Sequence, residues 1–230
     1  MYLITGDIHG DIRSLLYLID KYSLTSNDTI VLLGDVGLNF YRDEEEEEKK
    51  RILNNTNVQF LCIHGNHEIR PYDISTYKEY EWHKGIVYRE RKYRNINFAK
   101  DGEIYELGGT KAIAIGGAYS VDKKERIKIG KYWWPNEQPS KETKKHIEEI
   151  LAKNNWKIDV VFSHTCPKRY IPIEAYINGI NQKNVDRSTE EWLGYIENKL
   201  AYKNWYCGHW HINMRIDKMY FLFNGIVELK

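Results

Sequence analysis

The sequence predicts an α/β protein whose central strands run parallel, and two observations support this prediction. In the first 63 residues, short apolar segments alternate with segments whose apolar residues recur at helical spacing. Strand and helix patterns in this order indicate parallel strands joined by right-handed crossovers. Each apolar segment also gives way to glycine and polar residues, as expected where a buried strand ends.

The opening elements follow from these patterns. Residues 11–21 form a predicted helix with Asp11 as a candidate cap, and residues 42–54 form an exposed helix whose acidic run precedes its basic run. We interpret the run of glutamates as a solvated face. Residues 71–107 are predicted to form hairpins or a meander. The predicted strands of this half are residues 2–5, 29–34 and 58–63.

The second half alternates less regularly. We expect a long ordered loop over residues 118–140, which hold Trp133 and Trp134, and a closing hairpin of residues 219–224 and 226–229. The other predicted strands are residues 111–117, 159–163 and 205–208, and the other predicted helices are residues 141–153 and 188–200.

The composition is ordinary for a soluble globular protein, with 42% hydrophobic and 29% charged residues among 230. This length favours one domain or at most two, and a core of this size needs no disulfides. The formal net charge of +1 argues against binding nucleic acid through bulk electrostatics. This charge does not exclude a small phosphate-bearing substrate.

The compartment is predicted from the cysteines and from the opening segment. Three widely spaced cysteines do not suit a disulfide framework and indicate a reducing cytosol. The segment MYLITGD enters a strand pattern without a basic region, an apolar leader or a small-residue cleavage site. No apolar run approaches 18 residues, so we expect a cytoplasmic protein without a membrane span.

Five predicted strand ends carry side chains that suit metal chemistry. Six of the eight histidines lie in these segments. In an α/β sheet, ligands bind beyond the carboxyl ends of the strands, so five strands would direct these side chains into one crevice. The segments are GDIHG (6–10), GDVG (34–37), HGNHE (64–68), SHTCP (163–167) and GHWH (208–211).

Each segment is a weak signal alone, but the set is specific. A single Asp-x-His, or an Asn after a strand, is more often a turn with a satisfied polar side chain. Burying so many imidazoles and carboxylates without a shared partner would cost several kcal/mol for each group. A pair of bound metal ions supplies that partner for all of them.

The ligand types narrow the metal and its chemistry. A mixture of His, Asp and Asn suits Mn²⁺, which we expect first, or Fe²⁺, Zn²⁺ or Ni²⁺, and does not suit Ca²⁺. Asp35 can bridge two ions because a carboxylate has two oxygens. Two ions ~3.5–4 Å apart can clamp a phosphate, generate hydroxide at neutral pH and stabilise the attacking and leaving oxygens. The sequence therefore predicts phosphoester hydrolysis.

In this order, the five motifs resemble those of the calcineurin-like metallophosphoesterase family. They span residues 6–211, nearly the whole chain. The resemblance implies a four-layer α/β/β/α sandwich with two mixed β-sheets, formed as a single domain over residues 1–230. It also implies a dinuclear metal site between the sheets.

The resemblance implies a role for each motif residue. His67 would lie near the leaving-group oxygen as an acid or electrostatic stabiliser, while a metal-bridging hydroxide attacks phosphorus in line. His64 is expected to pack at the strand end, and Glu68 to orient His67 or a ligand. The implied ligands are Asp7, His9 and His211 for one metal, Asn66, His164 and His209 for the other, and Asp35 as the bridge.

Two departures separate the chain from one branch of that family. The phosphoprotein phosphatase branch pairs GDIHG with GDxVDRG and RGNHE, whose arginines grip the phosphate. Here Leu38 and Asn39 stand where Asp and Arg are expected, and His64 stands in place of Arg. The chain looks closer to the generic bacterial or phage metallophosphoesterases than to the Ser/Thr phosphatases.

Substrate recognition would then come from residues outside the motifs. Arg126 could hold phosphate oxygens, and Trp133 or Trp134 could stack on a base or aryl group, although we favour a role for the tryptophans in anchoring their loop. The expected substrate is a small phosphoester or nucleotide. A nuclease, a cyclic-nucleotide phosphodiesterase and a non-catalytic scaffold are the alternatives, and the oligomeric state stays open.

Overall fold

The computed structural model describes residues 1–229, which form thirteen strands and five α-helices with short 3₁₀ turns. The strands are β1 (Tyr2–Thr5), β2 (Thr29–Leu32), β3 (Gln59–Cys62), β4 (Tyr77–Trp82), β5 (Gly85–Glu90), β6 (Ile96–Ala99), β7 (Ile104–Leu107), β8 (Thr110–Ile115), β9 (Val160–Ser163), β10 (Asn204–Cys207), β11 (Met214–Ile216), β12 (Met219–Phe221) and β13 (Ile226–Glu228). The helices are α1 (Arg13–Lys21), α2 (Glu44–Asn55), α3 (Lys123–Ile129), α4 (Lys141–Lys153) and α5 (Ser188–Lys199). Within this part of the chain, no helix has the length and apolar character needed to cross a membrane.

The strands form two mixed sheets. The first has the order β13-β1-β2-β3-β6-β5-β4, and the second has the order β11-β12-β10-β9-β8-β7. Strands β1, β2 and β3 are parallel neighbours, which confirms the prediction from the opening pattern. In the second sheet, β8, β9 and β10 are parallel neighbours as well. Each sheet therefore has a set of carboxyl strand ends along one edge.

Apolar side chains hold four layers together. Helices α1 and α2 bury Leu15 and Leu53 in a cluster with the first sheet, and α4 and α5 bury Leu151 and Ile196 in a cluster with the second. A third cluster lies between the two sheets and includes Phe162. Removing this apolar surface from water is the main stabilising term. The α/β/β/α order implied by the resemblance is confirmed.

Helix α2 is less solvated than its composition indicates. Its cap Asp43 accepts a hydrogen bond from the Glu46 N–H at 3.0 Å, as expected for an acidic first turn. Glu46 is itself buried, and its carboxylate accepts bonds from the backbone N–H groups of residues 40–42 at 2.7–2.9 Å. Lys50 is buried too and pairs with Glu90 at 2.9 Å. The interpretation as a solvated face is therefore wrong for Glu46.

Three other local expectations are wrong. Helix α1 has no side-chain cap, because Asp11 accepts bonds from the backbone and guanidinium of Arg13 instead. The expected loop 118–140 contains α3, which ends at Gly130 in a left-handed conformation. The expected closing hairpin is divided between the sheets, because β12 pairs with β11 while β13 pairs with β1. The hairpins expected within 71–107 are present as antiparallel β4, β5 and β6.

Candidate metal centre

Five loops place the motif residues at the carboxyl ends of parallel strands. Strands β1, β2 and β3 of the first sheet and β9 and β10 of the second each end one to four residues before a predicted ligand. Parallel strands of one sheet end along the same edge, so the loops that follow them start close together. The five loops therefore begin at two neighbouring sheet edges. The side-chain distances show how closely the loops approach one another.

The first group of ligand atoms joins Asp7, His9 and His211. Nε2 of His211 lies 3.0 Å from Nε2 of His9 and 3.4 Å from Oδ2 of Asp7. One ligand atom from each of the three residues lies within 4.8 Å of the other two. Ring nitrogens this close must share a proton or a cation, because facing lone pairs repel each other.

The second group joins Asn66, Asp35 and His164 across the two sheets. Nε2 of His164 lies 2.8 Å from Oδ1 of Asn66 and 3.6 Å from Oδ1 of Asp35. The ring of His209 lies beside this group, with its centroid 5.0 Å from that of His164. Ligand atoms of Asp7, Asp35 and His164 lie within 4.8 Å of one another. The structure therefore brings all seven predicted ligands together, and Asp35 lies where the two groups meet.

The donors around His164 fit a divalent cation. Nδ1 of His164 lies 2.8 Å from the carbonyl oxygen of Leu33, which can only accept, so Nδ1 carries a proton and Nε2 is the nitrogen that can present a lone pair. Nδ2 of Asn66 donates to Oγ of Ser120 at 2.9 Å, which turns Oδ1 towards that lone pair. Two buried acceptors 2.8 Å apart need a positive partner. Mixed imidazole and oxygen donors suit the first-row divalent ions from Mn²⁺ to Zn²⁺.

Asp35 is a buried carboxyl group among imidazoles. Burial by itself raises the pKa of Asp35, but the imidazoles of His164, His67 and His9 and the backbone N–H of His67 outweigh this and lower the pKa to about 2. Burial lowers the pKa of His209 well below its ordinary value. Metal ligands must be deprotonated to bind, so both shifts favour a bound cation.

The backbone of these loops adopts conformations that side chains other than glycine rarely take. His9, Asp35, His209 and His211 all have positive φ, between 45° and 67°. Such conformations cost about 1–3 kcal/mol each and cluster at functional sites. The surrounding fold therefore holds four of the seven predicted ligands in positions that they would not adopt in a free loop.

Two motif glycines let the backbone approach the carboxylates. A Cβ atom on Gly65 would lie 2.0 Å from Oδ1 of Asp35, and one on Gly208 would lie 2.1 Å from Oδ1 of Asp7. Each distance is shorter than any van der Waals contact, so a larger residue at either position would displace a carboxylate.

His67 lies at the rim of the cluster. Its Nε2 is 3.9 Å from Oδ2 of Asp35, and its side chain is 24% exposed. Burial lowers the pKa of His67, although the charge of Asp35 opposes the shift. A neutral, partly exposed imidazole at this position can reach a molecule bound beside the cluster and exchange a proton with it.

Glu68 and His64 complete the HGNHE segment. Oε1 of Glu68 accepts a bond from the Gly65 N–H at 2.8 Å, which braces the turn that carries Asn66. Burial, reinforced by the charge of Asp35, raises the pKa of Glu68 to about 8. His64 is buried at the end of β3, as expected.

Arg126, the predicted substrate residue, lies on α3 and is engaged within its own loop. Its Nε donates to Oδ2 of Asp122 at 2.6 Å, and its Nη1 donates to the carbonyl oxygen of Tyr132 at 2.8 Å. Its positive charge contributes to the lowered pKa of His67, after burial. Arg126 therefore acts electrostatically on the rim of the cluster while its donors hold the loop.

Residues of the loop that follows β8 reach the cluster from outside the motifs. Ser120 is buried and binds Asn66 as described, although no motif marks it in the sequence. The available signal was its position soon after a buried strand at the same edge of the sheet. Nε1 of Trp133 donates to Oε2 of Glu137 at 2.8 Å, which supports the anchoring role for this tryptophan.

A cavity of about 160 Å³ adjoins the cluster, and the sequence did not predict it. Asn66, His67 and His209 lie on its lining, together with Trp210 and residues between 175 and 187. Those residues fall in 3₁₀ turns and irregular backbone, where the sequence carries no periodic signal.

Known proteins resemble this chain in family and in fold. A family model of calcineurin-like phosphoesterases matches residues 2–213. The structure of phosphopantetheinyl hydrolase from Mycobacterium tuberculosis is similar with a TM-score of 0.52 and 14% identity, over 96% of this chain and 87% of that one. AQ665 from Aquifex aeolicus, a protein of unknown function, gives a TM-score of 0.35 and 16% identity over 72% of this chain and 80% of its own. No curated protein matches the chain in sequence.

Proposed function

The chain belongs to the calcineurin-like phosphoesterase family and is therefore a metal-dependent hydrolase of phosphoester bonds; from this premise we propose that it acts on a small phosphomonoester or phosphodiester through two divalent ions. The observation that supports two ions is the position of Asp35. Its carboxylate adjoins Asp7 and His164, which belong to different groups of ligand atoms. One residue can thus serve both groups.

The seven motif residues divide between the two ions. When bound, the ions would neutralise the phosphate, activate water at neutral pH and stabilise the attacking and leaving oxygens. Mn²⁺ is the proposed metal, with Fe²⁺, Zn²⁺ and Ni²⁺ as alternatives that the donor set also suits. The proposed ligands are Asp7, His9 and His211 for one ion, Asn66, His164 and His209 for the other, and Asp35 for both.

His67 is assigned the proton transfer to the leaving group. Its imidazole lies 3.9 Å from Asp35 and lines the cavity beside the cluster. The negative charge of a bound phosphate would favour the protonated ring, because an opposite charge nearby raises the pKa of an imidazole. The ring then donates its proton to the leaving oxygen as the P–O bond breaks. Asp35 fixes the position of His67 through the backbone bond of 2.8 Å.

Monoesters and diesters could both use this arrangement. The rival functions, a nuclease or a cyclic-nucleotide phosphodiesterase, would use the same residues and differ only in the surrounding pocket. The net charge of +1 does not favour a nuclease, which needs many phosphate contacts. A small phosphoester is therefore the proposed substrate.

The decisive experiment combines metal analysis with a substrate panel. Purified protein loaded with Mn²⁺ is analysed for bound metal and then assayed with p-nitrophenyl phosphate and bis-p-nitrophenyl phosphate. We expect about two ions per chain and hydrolysis of at least one ester, and the preferred ester separates a monoesterase from a diesterase. Two bound ions without hydrolysis of any phosphoester would contradict the proposal.

We also infer one domain and a cytoplasmic location. The apolar cluster between the two sheets draws side chains from both, which supports a single cooperative unit. Cys62, Cys166 and Cys207 are buried and free, as suits a reducing compartment.

A further inference from the structure

The cavity beside the metal ligands has two chemically different sides. One side consists of polar residues of the cluster, among them Asp35, Asn66 and His67. The opposite side is largely apolar and includes Tyr176, Ile180 and Trp210. A phosphoester placed on the polar side would direct one of its substituents towards the apolar side.

The apolar side is tied to the cluster through Trp210. This residue lies between His209 and His211 in the chain, and its side chain is 8% exposed. The ring of Tyr176 lies 6.4 Å from that of Trp210, centroid to centroid. The guanidinium of Arg187 lies 5.4 Å from the Tyr176 ring and 5.3 Å from the Trp210 ring. These contacts hold an aromatic wall, whose two rings are inclined by 37°, next to two predicted metal ligands.

The guanidinium of Arg187 on this wall already has partners within the chain. Nη2 of Arg187 donates to Oε1 of Gln182 at 2.6 Å, and its Nη1 lies 3.9 Å from Oε1 of Glu190. The guanidinium faces also contact two aromatic rings, as described. A second anionic group on a substrate would compete with these partners for Arg187. An uncharged ring or alkyl group would bury apolar surface and leave these contacts in place.

The size of the cavity limits the group that fits. Its volume of about 160 Å³ is close to that of an engineered apolar cavity of ~150 Å³ that binds benzene. It lies well below the ~300–1,000 Å³ of sites that enclose drug-sized ligands. Because Asp35, Asn66 and His67 share this lining, part of the volume would hold the phosphate, and one aromatic ring or a short alkyl group is enough to fill the rest.

We propose that this cavity is the leaving-group site, and that the substrate is a phosphoester whose leaving group is uncharged, apolar and no larger than about one aromatic ring. The inference rests on the proposed function and adds the substrate class. Tyr176, Ile180 and Trp210 are its specificity-determining residues. Arg187 acts as a positioning residue that holds the two aromatic rings.

The test compares two non-hydrolysable phosphonates by calorimetry on the Mn²⁺-loaded chain. Phenylphosphonate and methylphosphonate carry the same metal-binding group, and only the first has a ring for the cavity. We expect phenylphosphonate to bind ~10-fold more tightly. The substitution Tyr176→Ala should remove most of that preference, and Ile180→Asp, which places a charge on the wall, should do so as well. Tyr195→Ala, on the exposed face of α5, is the control that should preserve it.

Three outcomes distinguish this inference from the proposed function. Equal affinity for both phosphonates in a chain that hydrolyses phosphoesters overturns the leaving-group site and leaves the proposed function intact. A tenfold preference that survives in both folded wall variants, as shown by circular dichroism, also overturns it. If neither phosphonate binds and no phosphoester is hydrolysed, both the inference and the proposed function fail.

Discussion

Nε2 of His164 lies 2.8 Å from Oδ1 of Asn66, although the two side chains follow strands of different sheets. Strand β3 presents Asn66, and β9 presents His164. The relative position of the sheets thus sets the distance between two proposed ligands of one ion. A change in the core between the sheets would alter the metal site without altering any ligand.

The substitution Asp35→Asn should remove most of the bound metal. Asp35 lies where the two groups of ligand atoms meet, and an amide lacks the negative charge and the second oxygen needed to serve two ions. We expect the metal content to fall from about two ions per chain to below about one, measured by elemental analysis after dialysis. His146→Ala, at an exposed position on α4, is the matched control and should retain the full content.

The substitution Ser120→Ala should weaken the metal site without removing a ligand. Oγ of Ser120 accepts the bond that turns the amide of Asn66 towards His164. Loss of such an orienting partner lowers metal affinity by about 10–100-fold. Competition with a chelator measures the change, and Ser26→Ala in an exposed loop serves as the control. Unchanged affinity would show that Asn66 is oriented by the metal alone.

The substitution His67→Ala should reduce turnover and leave metal content unchanged. The proposed proton donor to the leaving group is lost, while no proposed metal ligand is touched. General acid catalysis contributes about 10²–10⁴-fold, so kcat should fall by a factor in that range. Steady-state kinetics and elemental analysis on the same preparation provide the check. A folded variant that has lost its metal would argue against this role.

The substitution Glu90→Ala should cost much more stability than loss of a surface ion pair. Glu90 and Lys50 are nearly inaccessible to water and lie 2.9 Å apart, so the change leaves a buried ammonium group whose remaining carboxylate partner, Glu47, is 3.8 Å away and partly exposed. Breaking such a pair costs ~3–5 kcal/mol of the free energy of unfolding. Arg51→Ala breaks the exposed pair with Glu48 and should cost only about 0–1 kcal/mol. Urea denaturation compares the two, and equal losses would contradict the prediction.

Glu190 on α5 should make the free energy of unfolding fall as pH rises. Burial raises its pKa above the ordinary value of 4.5, although Arg187 and Thr165 partly oppose the shift. The folded state therefore holds this proton more tightly than the unfolded state does. The resulting stability is complete below pH 4.5 and is lost as pH rises from there through the folded-state pKa.

The substitution Glu190→Gln tests this sign directly. The variant should gain stability relative to the unchanged chain as pH rises from about 4 to about 7, measured by urea denaturation at each pH. Glu191→Gln removes a carboxylate from the exposed side of the same helix and should show a much smaller trend. A difference for Glu190→Gln that is constant with pH would count against a raised pKa.

The proposed ligands could be located from the sequence because each follows a buried apolar strand. Asp35 and His164 are examples, since one follows β2 and the other follows β9. Parallel strands end at a common edge, so position along the chain translates into position in space. The family resemblance then assigned the residues to two ions, which no spacing argument could do.

The wall of the cavity could not be predicted, for a physical reason. Tyr176 and Arg187 reach it from 3₁₀ turns and irregular backbone, where no repeat relates sequence position to side-chain direction. Trp210 was visible only as the residue between two histidines. The sequence did contain one signal for helix α3, which is Gly130, the residue that ends the helix in a left-handed conformation. The neighbouring aromatic residues favoured the prediction of a loop instead.

The prediction of a closing hairpin was wrong because the alternation of apolar and polar residues along a strand does not identify the strand it pairs with. Strand β13 pairs antiparallel with β1 at the other end of the described chain, and β12 pairs with β10 and β11. Both arrangements bury one face of each strand, so the apolar pattern alone cannot choose between them.

The backbone N–H of His209 donates to the carboxylate of Asp7, a residue 202 positions earlier in the chain. On the ribosome, the two halves of this contact emerge far apart in time. The three apolar clusters contain none of the proposed ligands, so we expect the sheets to assemble before the ions bind, unlike domains that fold around their metal. We expect cells starved of the metal to accumulate a folded but idle chain.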